Sequence, residues 1–207
     1  MSSAASSTPL LVVISAPSGA GKTTLCDNVR SALPSATRAV TCTTRKPRGG
    51  ERDGHDYYFV GEEEFLARLD GGEFLENAVV HGNHYGVLKA ELRAKLAGGS
   101  DVLLNIDVQG AATIRKRAAA DPVLCHSLLT VFLCPSSLEE LERRLRGRGT
   151  DSEDVIAGRL AIAKEEIEQA GQFDHTLISQ TRESDVERLL AIIKSTRFAK
   201  RETIPSP

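Results

Sequence analysis

The sequence predicts an α/β fold: a parallel sheet flanked by helices, interrupted by one long insertion and followed by an arginine-rich segment. Three observations carry this. The apolar run Leu10–Ser15 leads through a glycine-rich turn ending Gly21-Lys22-Thr23 into an amphipathic stretch, the strand, turn and helix from which a sheet buried on both faces is built. The βα rhythm then breaks from Ala39 to Gly86 and resumes afterwards, and compact domains rarely carry a structureless loop of that length. Finally, arginines cluster from Arg143 to Arg148, at the end of one helical pattern and in the turn that follows it.

In order along the chain, Met1–Pro9 is rich in Ser and Ala and reads as a loose tail. Leu10–Ser15 is the first strand. A helix over about Lys22–Leu33 places Leu25, Val29 and Leu33 on one face and stops before Pro34. Within the insertion, Asp56–Val60 reads as a strand and Glu62–Leu69 as a short helix ended by Gly71-Gly72. A helix around Lys89–Leu96 and strands at Val102–Ile106 and Leu128–Cys134 restore the alternation. Ser137 is a good N-cap for a helix over Leu138–Arg146. Arg146-Gly147-Arg148-Gly149-Thr150 offers hinge freedom, and Ser152-Glu153-Asp154 opens a second helix to about Ala170. His175–Ser179 is the last strand, Asp185–Lys200 the closing helix, and 201–207 a disordered tail. The organisation is one domain over 10–194, with core segments 10–38, 89–134 and 172–198, an insertion over 39–88 and an arginine-rich segment over 135–171. Neither a repeat nor a low-complexity linker interrupts it.

With 207 residues, 41% of them hydrophobic, the chain can bury one sizeable core without disulfides. A net charge of −2 argues against a nucleic-acid-binding surface. Cys26, Cys42, Cys125 and Cys134 show no Cys-x-x-Cys spacing and read as reduced thiols. No apolar stretch approaches the ~18 residues of a membrane span, and no signal segment opens the chain, so a cytoplasmic protein without membrane partners is expected.

The chemistry starts at Ala16-Pro17-Ser18-Gly19-Ala20-Gly21-Lys22-Thr23, which fits the phosphate-loop pattern Gly-x-x-x-x-Gly-Lys-[Ser/Thr] except for Ala at its first position. Successive backbone N–H groups at such a turn converge on one anion. Lys22 would reach the β- and γ-phosphates of a nucleotide, and the Thr23 hydroxyl would hold Mg²⁺. In the insertion, Arg45 and Arg48 bracket Pro47 and would grip one phosphate, since guanidinium groups match phosphate oxygens bidentately. A solvated basic turn is the alternative for that pair alone. Tyr57 and Tyr85 add neutral donors suited to a small anion. His81 and His84 lack a neighbouring cysteine or carboxylate cluster, and Mg²⁺ prefers oxygen, so no His-bound metal is expected. Ser-His-Asp and Cys-His arrangements do not emerge, and phosphoryl transfer needs none.

The order of the phosphate loop, "TTRKPRGGE", "DGHDYYFV", "GEFLENAVVHGNHYG", "IDVQG" and "LRGRGTDSEDVIAGRL" resembles the guanylate kinase family of P-loop nucleoside monophosphate kinases, from about Leu10 to Lys194. The resemblance implies a P-loop kinase core with a GMP-binding insertion and a lid. It implies transfer of the γ-phosphoryl group of MgATP to GMP or dGMP, giving GDP or dGDP and ADP, in purine nucleotide metabolism. By the same resemblance, ATP is held by Ala16 to Thr23 together with Thr24, and the GMP phosphate by Arg45, Arg48, Tyr57 and Tyr85, with Glu51 orienting the arginine pair. Glu76 and Thr41 would read the base. Guanine presents N1–H and N2–H₂ as adjacent donors, which one carboxylate can accept, while a hydroxyl can donate to O6. Buried polar groups left unpaired by the wrong base would reject it. Asp107 matches a family aspartate near base and ribose, at the strand end where open α/β sheets place ligands. Arg144, Arg148 and Arg159 match lid arginines which, with Lys22, neutralise charge on the transferred group; closure excludes water. Arg143 and Arg146 read as solvated helix-face charges. Small-molecule partners, ATP and GMP or dGMP, and a monomer or homodimer are expected.

Four positions depart from the family pattern: Asn105 in place of an aspartate that can serve Mg²⁺, Val87 in place of a Ser or Thr, Ser179-Gln180 in place of Asn-Asp, and Thr41 in place of a frequent Ser. Two other functions stay open on the sequence. A different small-molecule phosphokinase, such as one acting on a sugar phosphate, would share the phosphate loop but not need Thr41 and Glu76. A non-catalytic interaction module of the same family would typically lose the loop.

Overall fold

A computed structural model describes residues 8–80, 82–147 and 152–202. Its elements in chain order are β1 (Leu11–Ser15), α1 (Lys22–Ala32), β2 (Ala36–Arg38), β3 (Thr41–Thr43), β4 (Tyr57–Phe59), α2 (Glu62–Asp70), β5 (Phe74–Val80), β6 (Asn83–Leu88) and α3 (Lys89–Ala97). There follow β7 (Asp101–Asn105), α4 (Val108–Ala118), α5 (Pro122–Ser127), β8 (Leu128–Cys134), α6 (Leu138–Arg146), α7 (Glu153–Glu168), a 3₁₀ turn over Gln169–Gln172, β9 (His175–Ile178) and α8 (Arg182–Glu202).

Among the described residues the main sheet runs β2-β7-β1-β8-β9, parallel throughout. Every residue of β1 is buried because successive side chains point to opposite faces and both faces are covered. Leu10, Val12 and Ile14 pack with Leu25 and Val29 of α1, Leu141 and Leu145 of α6, and Leu189 and Ile193 of α8. Leu11 and Val13 pack instead with Leu92 of α3, Ile114 of α4, Leu124 of α5 and Phe132 of β8. Each such buried Leu or Val contributes roughly 1.5–3 kcal/mol over its exposed state, so the apolar run is needed on both sides.

The insertion forms its own sheet, ordered β4-β3-β6-β5, with β3–β4 parallel and the β3–β6 and β5–β6 pairs antiparallel. A small core of Cys42, Phe65, Phe74 and Leu88 supports it. Gly86 is required there: a Cβ would stand 2.6 Å from Cδ1 of Phe74.

The expected strands and helices recur within a few residues, and several further elements join them: the short strands β2 and β3, the β5–β6 hairpin, and helices α4 and α5. The second lid helix stops at Glu168 and tightens into the 3₁₀ turn. The closing helix starts earlier than expected, at Arg182, where the Thr181 hydroxyl accepts from the Ser184 N–H as an N-cap. It also corrects the tail expected at 201–207: Arg201 and Glu202 continue α8. Arg197 anchors that end of the helix on the buried Asp101, and Lys200 and Arg201 in the last turn suit the helix dipole. Residues 1–7, 148–151 and 203–207 lie outside the described residues, so the hinge expected at Arg148-Gly149-Thr150 and most of both tails fall there.

Candidate functional site

Ala16 to Thr24 run from the C-terminal end of β1 into α1. Gly19 and Gly21 hold φ of +93° and +97°, a region that L side chains rarely adopt, and these reversals turn the loop so that α1 begins at Lys22 with Gly21 as its N-cap residue. Lys22 Nζ donates to the Ile106 carbonyl (2.8 Å) across the end of β7. Burial lowers the pKa of this ammonium, opposed by the Glu166 and Asp107 carboxylates. Glu166, from the far end of α7, lines the loop cavity of about 370 Å³ with Ala16 to Gly19, Gly21 to Thr24 and Asp107. Burial raises its pKa, while Lys22 and a hydrogen bond with the Ser18 backbone pull it down. Sequence reasoning missed Glu166: one more glutamate in an acidic helix carries no local signal.

Beside the loop lies a cavity of about 520 Å³ bounded by Gly19 to Gly21, Thr24, Asn28, Glu140, Arg143, Arg144, Gln180 and Asp185, among others. Arg144 spans it, donating from Nε to Glu140 Oε1 (2.8 Å) and from Nη1 to the Ala20 carbonyl (3.3 Å). Ser179 donates to Oδ2 of the buried Asp185 (2.8 Å), and the Gln180 N–H to its Oδ1 (2.9 Å), so these two departures from the family pattern are built into the wall. Arg143 pairs with Glu140 and keeps 77% of its side chain exposed, and Arg146 bridges Glu142 and Glu153, in keeping with solvated helix-face charges. Arg159 is half-buried on α7, two turns before Glu166. Arg148 lies outside the described residues.

On the other side of the loop, about 370 Å³ is enclosed by Thr23, Cys26, Thr41, Tyr57, Glu76, Tyr85, Val87, Asn105 and Asp107, among others. The strands explain the convergence: β3 supplies Thr41, β4 Tyr57, β5 Glu76, β6 Tyr85 and Val87, and β7 with its following turn Asn105 and Asp107. Burial and the nearby Asp107 push the Glu76 carboxyl up to about 7, with Arg117 pulling it down. Asp107 caps α4, its Oδ1 accepting from the Gly110 N–H (2.7 Å). Arg30 and Arg38 also line the space and were not anticipated. The Cys26 thiol is pushed up to about 12 by burial, so it offers no thiolate nucleophile.

At the rim, Glu51 accepts from Nη2 of Arg45 (2.8 and 3.0 Å) and from the Arg48 N–H (2.7 Å). These bonds hold the Glu51 carboxyl below its usual range and fix the turn. Hydrogen bonds with Glu51 and Tyr85 raise the Arg45 pKa, and its guanidinium carbon lies 5.2 Å from the centre of the Tyr57 ring. The structure thus joins Arg45, Glu51, Tyr57 and Tyr85; the Arg48 side chain stands exposed nearby. Among the described residues, no group of three or more His, Cys, Asp or Glu is arranged to hold a metal ion. His84 serves the insertion's own packing, its ring 5.1 Å from that of Phe65, and His81 lies outside the described residues. Asn105 donates from Nδ2 to Thr23 Oγ1 (3.1 Å).

No described helix is long and apolar enough to cross a membrane, and all four cysteines are free. Comparison with known proteins points the same way as the site. The family model described as Guanylate kinase matches residues 8–196. A protein named Guanylate kinase from Aromatoleum aromaticum is 47% identical over 188 residues, spanning 91% of this chain and 89% of that protein. Another of that name, from Cereibacter sphaeroides, is 42% identical over 191 residues, spanning 92% and 88%. A crystal structure of guanylate kinase from Anaplasma phagocytophilum superposes with a TM-score of 0.66 at 31% identity, covering 92% of this chain and 87% of that one. With the intact loop, the inserted sheet and relatives matched over nearly their full length, the chain belongs to the guanylate kinase family.

Proposed function

We propose that this nucleoside monophosphate kinase transfers the γ-phosphoryl group of ATP to the phosphate of GMP, or dGMP, by direct in-line displacement. The observation that carries this reading is the junction of the cavities. Thr23 and Asp107 line both the loop cavity and the one under the inserted sheet, so phosphates in the first would meet an acceptor in the second. Such a transfer depends on positioning and charge more than on covalent chemistry.

The ATP base would occupy the cavity between the phosphate loop and Gln180, with its phosphates along the N–H groups from Gly19 to Thr24. Lys22, parked on the Ile106 carbonyl, would turn to the β- and γ-oxygens. Arg144, already against the loop, would neutralise charge on the transferred group together with Arg148 and Arg159. The acceptor phosphate would sit on Arg45, Arg48, Tyr57 and Tyr85, with Glu51 holding the arginine turn, and Glu76 and Thr41 would read guanine while Asp107 sits by base and ribose. Val87, 4% exposed, offers only packing at its position.

The junction fits Mg²⁺, because the Thr23 hydroxyl and the Asp107 and Glu166 carboxylates offer oxygen, and this ion is usually held by one or two protein oxygens plus phosphates rather than by a protein cage. Thr23 would hold it, with Asn105 orienting the hydroxyl from its amide. Bound there with ATP, the ion would draw charge from the β- and γ-oxygens. The assignment of core, insertion (39–88) and lid (135–171), a cytoplasmic setting and a monomeric or homodimeric enzyme complete the reading; the free thiols and a net charge of −2 support the setting and the absence of nucleic-acid partners. An ADP-release assay with GMP, dGMP, AMP, UMP and sugar phosphates tests it: turnover confined to GMP and dGMP is expected, and equal rates with AMP or a sugar phosphate would overturn it.

A further inference from the structure

The strand that delivers Glu76 is irregular at that point. Phe74 pairs with Leu88 but Glu76 pairs with Val87, a register shift of one residue between them. Side chains alternate along a regular strand, so Phe74 and Glu76 would share a face. Here three successive residues enter three environments: Phe74 joins the small core of the insertion, Leu75 the core between the sheets and α4, and Glu76 the acceptor cavity. A bulge re-aims side chains in this way, but it disrupts the ladder and leaves backbone groups to be satisfied elsewhere.

Arg117 of α4 satisfies them. Its Nη1 reaches the Phe74 carbonyl (3.1 Å), the Leu75 carbonyl (3.2 Å) and Asn77 Oδ1 (3.3 Å). One guanidinium thus clamps both sides of the irregularity from a helix capped by Asp107, which lines the same cavity. We propose that Arg117 is a positioning residue for acceptor-base recognition, clamping the β5 bulge so that the Glu76 carboxylate faces the acceptor. The proposal rests on Glu76 as the base reader. The charged groups acting on Glu76 are Asp107, from the β7–α4 turn, and Arg117 itself, so Arg117 also favours the ionised form.

The test is GMP binding without ATP, measured by calorimetry from pH 5.5 to 8.5, on the full chain and on Arg117→Ala, Arg117→Lys and Glu76→Gln. Losing a charge-assisted clamp is expected to weaken GMP about ten-fold or more in Arg117→Ala while ATP affinity moves by less than about two-fold, and to raise the pH midpoint of GMP binding. Arg117→Lys keeps the charge on a shorter side chain that falls short of the three acceptors reached by Nη1, so the midpoint returns toward that of the unaltered chain while GMP binding stays weakened. If Arg117→Ala fails to fold, Arg117→Lys carries the test through its GMP affinity. Unaltered GMP affinity in both variants, or equal losses for GMP and ATP, overturns the positioning role. Glu76→Gln separates the two ideas: if it leaves GMP-against-AMP selection intact, the base-reader reading falls; if it destroys selection while both Arg117 variants bind GMP normally, only the clamp falls.

Discussion

In the proposed reading, the two sides of this site hold phosphate by different means. On the donor side the backbone would do most of the work: one loop of consecutive residues, with two glycines at positive φ, opens α1, whose first N–H groups have no partner within the helix. On the acceptor side nothing is consecutive. Thr41, Tyr57, Glu76 and Tyr85 come from four strands of the mixed inserted sheet, and Asp107 from the turn after β7 of the parallel sheet. A loop of N–H groups binds any polyphosphate, because each residue offers the same donor. A cavity lined by chosen side chains can tell one base from another, because a wrong base strands a buried acceptor or donor. Power and selectivity are thereby separated in space, and each should be removable without the other.

The largest expected effect lies on the donor side. Lys22→Ala should lower kcat by about 10²–10³-fold or more, the scale for losing a preorganised charge at the transferring group, with an unchanged melting profile and unchanged GMP binding; near-normal turnover would break the comparison. Next comes Glu76→Gln, expected to reduce GMP-against-AMP discrimination in kcat/KM by about 10–100-fold while KM for ATP hardly moves.

The pH dependence sharpens the contrast. With Glu76 as the proposed base reader, guanine's two donors need its ionised form, and the carboxyl is pushed up to about 7 in the free protein. GMP binding should therefore release a proton, and kcat/KM for GMP should rise as pH climbs through about 7 and level off above it; Glu76→Gln should flatten that step. The same group acts on stability. Its folded pKa of about 7 exceeds the 4.5 of a free glutamate, so its contribution is fully present below about 4.5 and lost as pH rises through about 7. Melting curves of the nucleotide-free protein should lose this acid-side component in Glu76→Gln. The smallest effect is expected at the junction: Asn105→Asp places a carboxylate beside Thr23 and should lower the Mg²⁺ concentration for half-maximal rate by less than about ten-fold. A change in GMP selectivity there would mean that the two sides are not separable.

How much was legible in the sequence follows the same division. The phosphate loop, β1 and α1 were readable because their signals are local: an apolar run, two glycines and a lysine within a few residues. Leu128–Cys134 and Leu138–Arg146 were readable to the residue for the same reason, an apolar run and an N-capping Ser137. The site residues proposed for the insertion rest on several motifs in order, yet the strands that carry Thr41 and Glu76 had no periodic signal. β3 is three residues long, and β5 breaks its own alternation at the bulge. Glu166 and Arg117 were invisible, since each acts on a segment at least forty residues away in the chain.

The sequence by itself determined the phosphate loop with its flanking strand and helix, and the parallel sheet, because backbone geometry and hydrophobic periodicity are written in neighbouring residues. Only the tertiary structure decided that Thr23 and Asp107 would stand at the meeting of two cavities, that Asn105 would turn its amide to the Thr23 hydroxyl, and that a carboxyl pushed up to about 7 would line the cavity under the inserted sheet. Those outcomes depend on burial, on charge between distant segments and on one strand's register, and such quantities exist only once the chain has closed on itself.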